Sequence, residues 1–166
     1  MGLQDIIDAA EAVGDHDEMR RSTFQKEFEA YESGEIDSFP RTREAIVDER
    51  DALERLEEQL DAEEGNINGL IERTEFFTVD QAVRHRDQTL EKLESHNAHL
   101  REFHDAMATA LDRIETNLSE LVSNDADTFE ADPEPQFEHA REALDAHNEA
   151  VEDLDTNLTI LNAYLR

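Results

Sequence analysis

The residues best suited to chemistry are histidines. The chain has seven. Three of them crowd the stretch LESHNAHLREFHDAM as His96, His99 and His104, and a fourth, His147, sits in LDAHNEA. An imidazole can ligate a metal, take up a proton near neutral pH, or act as a hydrogen-bonded core group. His96 and His99 are three residues apart, a helical spacing that supplies two metal ligands. Two ligands do not make a site. Neither Glu-x-x-His nor His-Glu-x-x-His, the helical arrangements that would complete a set, occurs anywhere in the sequence. No metal and no cofactor is therefore expected, and His96 and His99 read as solvated helix residues.

His104 and His147 differ because both fall on apolar seams, as do Asn97 and Arg86. These four are the candidate seam-specifying or interaction residues. A histidine or asparagine on a seam needs a hydrogen-bond partner when buried. His104 and His147 are expected about one turn apart on facing helices, bonded to each other, to Asp105 or Asp145, or to Asn148. The rival use of that pair is a shared metal or a pH-dependent contact. Asn97 has the character of a single polar residue that fixes dimer register. Arg86, near the end of its seam, is expected to reach a carboxylate.

Catalytic residues are not nominated. There is no Cys, which excludes thiol catalysis, disulfides and zinc fingers. Ser and Thr sit at caps and loops without a nucleophile elbow. The loop GNING lacks the spacing and lysine of a phosphate-binding loop. Carboxylates are too abundant for any two to stand out. The chain is not expected to be an enzyme.

Those residues are carried by helices. Residues 3–13 read as a short amphipathic helix closed by Gly14, and about 16–32 as a second, opened by Asp15 and Glu18 and bearing Phe24, Phe28 and Tyr31. SGEIDSFP is a turn in which Ser38 can cap and Pro40 suits a first helical turn. A third helix runs from about 40 to 64, with Ile46, Leu53, Leu56 and Leu60 as its seam and Gly65 as its cap. Residues 69–77 add a short helical turn. Thr78 and Gln81 open the longest helix, about 79–123, whose apolar residues alternate three and four apart. Val83, Leu90, Asn97, His104, Leu111 and Leu118 form its first column. Arg86, Leu93, Leu100, Met107, Ile114 and Leu121 form the second. The acidic loop 123–135 holds two prolines and Phe129, expected to tuck onto the bundle. A last helix spans about 136–165.

Seams this narrow must pair, and sequence neighbours are the nearest partners. The expected fold is all-α: an elongated antiparallel coiled-coil or helical bundle with one long spine helix, two flanking helices and two short N-terminal helices. Residues 1–36 form an N-terminal cap and 37–166 the bundle. Folding back at the 65–78 loop sets Leu53 near Leu90 and Leu60 near Val83. Folding at the second loop sets Leu111 near Leu144 and His104 near Val151. A parallel dimer through the long helix is the alternative.

Charge dominates the composition. The chain of 166 residues carries 44 Asp and Glu against 15 Lys and Arg, a formal net charge of −29. Lys26 and Lys92 are its two lysines. This resembles the composition of proteins from salt-in halophiles, in which molar salt shortens the Debye length to about 3 Å and screens self-repulsion. No basic stripe marks a nucleic-acid surface, so nucleic acid is a disfavoured partner. The start lacks a basic, apolar leader and no window suits a membrane span. A cytoplasmic protein that binds a protein partner or itself is expected, through a seam left uncovered at the start of the long helix or in the aromatic N-terminal region. A metal- or phosphate-linked helical regulator and an accessory module of a DNA-associated coiled-coil complex are the alternatives.

Overall fold

A computed structural model describes residues 2–123, 133–150 and 154–166. The described residues form five helices in order: α1 (Leu3–Glu32), α2 (Pro40–Thr74), α3 (Asp80–Ser123), α4 (Glu134–Ala150) and α5 (Leu154–Tyr164). The fold is an all-α bundle with no strand among the described residues. Close packing joins α1 to α2, α2 to α3, and α3 to both α4 and α5. The 44-residue α3 is the longest element. Phe129 and Val151 lie outside the described residues.

The last helix, expected over about 136–165, is described as α4 and α5, with α4 starting at Glu134 inside the expected loop. Two further boundaries differ from the sequence reading for one reason. The two short N-terminal helices are a single helix, which passes through Gly14. Similarly, α2 does not stop at Gly65 but continues through it, absorbing the turn expected at 69–77. Both glycines point at open space. A glycine inside a helix costs about 1 kcal/mol relative to alanine. The buried stripe runs on across each, through Ala10, Val13 and Arg20 in α1 and through Leu60, Glu63, Ile67 and Leu70 in α2. Burying one large aliphatic side chain outweighs that penalty, at about 1.5–3 kcal/mol.

The turn between α1 and α2 reverses through Gly34, whose φ of 79° is left-handed. The Glu35 N–H reaches the Ala30 carbonyl at 2.9 Å and the Gly34 N–H that of Tyr31 at 3.1 Å, the bond pair of a Schellman close. Pro40 occupies the first turn of α2, but Ser38 does not cap it. The cap comes from α1. The Glu27 carboxylate accepts the N–H of Arg41 at 2.9 Å, the N–H of Thr42 at 2.7 Å and the Thr42 hydroxyl at 2.6 Å. Burial pushes this carboxyl up, yet the bonds from Thr42 and Arg41 outweigh it and hold it below the ordinary range.

Ion pairs mark the antiparallel register of α2 on α3. Arg50 binds Asp112 and Glu115, and Arg101 binds Asp61 and Glu64. Leu53 therefore lies level with about residue 110 of α3, not with Leu90. The longer α2 moves the turn to residues 75–79, and every facing pair slides with it.

The core falls into two clusters. The larger includes Ile6, Val13, Phe39, Leu56, Leu100, Leu111, Leu118 and Phe137. Phe24, Phe28 and Tyr31 pack on it, with Phe39 5.0 Å from Tyr31 and 5.8 Å from Phe24 between ring centroids. The smaller joins Ile67, Leu70, Leu93, Leu154, Leu158 and Leu161. Between them in chain order lie the buried polar residues Glu63 on α2, His96 and Asn97 on α3, and His147 on α4.

Candidate functional site

Two features depart from a plain packed bundle: the polar layer between the clusters, and the end of the molecule where α2 turns into α3.

The polar layer is centred on two imidazoles. The His96 and His147 rings stand 4.5 Å apart between centroids, tilted by 39°. His96 is 0% exposed, and neither of its ring nitrogens makes a hydrogen bond. His147 lies 3.3 Å from Asn148 through Nδ1, while its Nε2 has no bond. The side-chain oxygen of Asn97 and one carboxylate oxygen of Glu63 are buried and unbonded as well. Burial, then His147, then His99 pull the His96 imidazole down from 6.5 to about 4. Burial also lowers His147, against an opposing bond from Asn148. Both rings are neutral at pH 7. Among the described residues, no three His, Cys, Asp or Glu side chains gather in a way that could hold a metal ion.

The expected histidine roles are therefore redistributed. His147 meets His96, not His104, which lies about two turns further along α3. His104 is half-buried and bonds its own neighbour Asp105 at 3.0 Å. His96, read as solvated, is among the most buried side chains in the molecule. The reason is that α3 packs against α2 on one side and α4 and α5 on the other. A helix with two neighbours buries a wider stripe than a two-column seam. The third column is Ala82, Thr89, His96, Phe103 and Ala110, all buried. Its run of small and apolar residues was the available signal. Asn97 is buried on its seam. Arg86 bonds Asp87 at 2.8 Å and the Thr74 carbonyl at 3.2 Å, tying the start of α3 to the end of α2.

A second polar cluster lies in the larger core and is held by ion pairs, with one oxygen of Glu49, Oε1, buried and unbonded. Arg20 on α1 donates through Nε to Glu49 on α2 at 2.6 Å and through a second nitrogen to Asp17. Arg20 and Arg21 also lie over the Phe137 ring of α4, at 5.3 and 4.6 Å from its centroid. Burial raises the Glu49 carboxyl, and Arg20 opposes it without cancelling it. Nothing in the spacing of so many charges singles out Arg20, Glu27 or Glu49.

At the α2–α3 turn the bundle has three helices. In the register of the Arg20–Glu49 and Glu27–Thr42 pairs, the start of α1 lies level with about residue 66 of α2. The last two turns of α2 run past it, beside the first turns of α3 and the end of α5. Here Phe76 is 79% exposed, with Ile71, Val79 and Tyr164 also open. Phe77 and His85 pack against Tyr164 at 6.3 and 6.0 Å. The side chains of residues 71–87 and 160–166 include four arginines and four carboxylates, so the net −29 resides wholly elsewhere. Among the described residues, Arg73 and Arg84 bond only backbone carbonyls of their own helices, Gly69 and Asp80. They contrast with Arg20, Arg50 and Arg101, each held by two carboxylates.

Comparison with protein-family models, with curated proteins and with solved structures gives no match. Among the described residues, no helix is long and apolar enough to cross a membrane.

Proposed function

We propose that this chain is a non-enzymatic interaction or assembly protein that works in a high-salt cytoplasm, and that its partner surface is the three-helix tip. The observation that carries the reading is Phe76, an aromatic side chain 79% exposed at the end of the molecule where Ile71, Val79 and Tyr164 are also exposed. Contiguous apolar surface ringed by polar groups is characteristic of protein-binding sites. Aromatic residues, Phe among them, are enriched in such interfaces relative to the rest of the surface. The tip also coincides with the start of the long helix, where an uncovered seam is expected.

The test is recovery of a stoichiometric partner by the tagged chain in about 2 M KCl. Phe76→Asp should abolish recovery. Val47→Asp should not, although Val47 is 55% exposed, because it lies on α2 away from the tip. Equal recovery by both variants would remove the tip from the account. The salt requirement has its own test. Carboxylate repulsion across −29 charges is screened at molar salt and released as the Debye length grows. Helicity followed by circular dichroism should fall on dialysis below about 0.5 M salt. An unchanged spectrum in dilute buffer would contradict salt adaptation.

A further inference from the structure

We propose that the tip is an interface between two copies of this chain, packed end to end about a two-fold axis. This rests on the reading of the tip as the partner surface and names its occupant.

Charge supports a second copy over other occupants. Any approach of one copy to another brings together two bodies of −29, and repulsion opposes it over most of the surface. The tip is one part of the molecule where carboxylates are offset, four by four arginines, and there Phe76 stands 79% exposed among them. A patch with equal numbers of both signs can complement itself, and a two-fold interface applies one patch to an identical one. The charges are also available. The guanidinium groups of Arg73 and Arg84 make no ion pair among the described residues, while Glu72, Glu75 and Asp80 stand exposed beside them. Two-fold packing sets the arginines of one copy against the carboxylates of the other. It also lets Phe76 of each copy leave water against the Ile71, Val79 and Tyr164 surface of its mate. The apolar part of such an interface survives molar salt, which weakens only its ion pairs.

Light scattering of the full chain in about 1–2 M KCl tests this. The expected mass is twice 19.0 kDa. Phe76→Asp should weaken association by roughly 30-fold or more, the effect of losing an anchoring side chain, with helicity unchanged. Two charge variants form the second arm. Arg73→Glu/Arg84→Glu and Glu72→Arg/Glu75→Arg should each associate poorly alone and should pair when mixed. A wild-type monomer at about 100 μM, a typical ceiling for a micromolar complex, would overturn the second copy as occupant. A dimer untouched by Phe76→Asp and by both charge variants would overturn its location. If the wild type is a monomer yet recovers a different chain in a Phe76-dependent way, the occupant is wrong and the interaction reading stands. If it does neither, both fall.

Discussion

Phe39 and Phe76 are both aromatic residues in turns between long helices, yet the first is 0% exposed and the second 79%. The difference lies in what surrounds each turn. Phe39 sits where α1 and α2 meet over the larger core, and rings from α1 close around it. Phe76 sits where α2 and α3 continue past α1, with α5 alone beside them. The comparison extends to charge. At the four-helix end a buried arginine is held by carboxylates from two helices and a buried carboxylate caps a helix. At the three-helix end Arg86 pairs with its neighbour Asp87, while Arg73 and Arg84 make no ion pair among the described residues. One end is closed by its own helices, and the other leaves Phe76 open.

The largest effect expected on the folded state is at the closed end. Arg20→Ala leaves Glu49 buried without its cation, and breaking a buried pair in this way costs about 3–5 kcal/mol. Denaturant unfolding in high salt measures it. A loss below about 1 kcal/mol, the level of a surface pair, would mean that this end is not anchored as described.

The histidine layer between the two ends comes next. The His96 imidazole titrates near 4 when folded and near 6.5 when unfolded. The unfolded chain thus takes up a proton first as pH falls. Stability is complete above about 6.5 and declines as pH falls toward 4, by roughly 3 kcal/mol for this group, and burial adds His147 in the same direction. His96→Leu should flatten much of that decline in acid unfolding curves. An unchanged slope would remove His96 as its source.

A smaller effect of opposite sign is expected at Asn97. Its side-chain oxygen is buried and unbonded, and replacing such a group with an apolar one of similar size is neutral to stabilising. Asn97→Leu should raise stability by about 1 kcal/mol. A loss of that size would show that Asn97 is satisfied in solution. Phe76→Asp should change stability least of all, since its side chain lies in water.

Much of the architecture was legible in the sequence. The α3 seam, the turn at SGEIDSFP and the all-α bundle follow from periodicity and capping residues. What was not legible depended on tertiary context. Gly14 and Gly65 mark helix ends by local propensity, but packing on either side carries the helix through both. His96 was missed because a two-column seam assumes one neighbour, and α3 has neighbours on two sides. Arg20 and Glu27 become distinctive only once α1 lies against α2. At the tip, the apolar residues were visible, but their exposure depends on how far α2 runs past α1.

Site-specific photo-crosslinking tests the contrast between the two ends most directly. A crosslinking residue placed at 76 should give one discrete product in about 2 M KCl, at twice the chain mass if the partner is a second copy. The same residue at 47, an exposed apolar position on the side of the bundle, should give none. Discrete product from 47, or none from 76, would contradict the account of the tip as the partner surface.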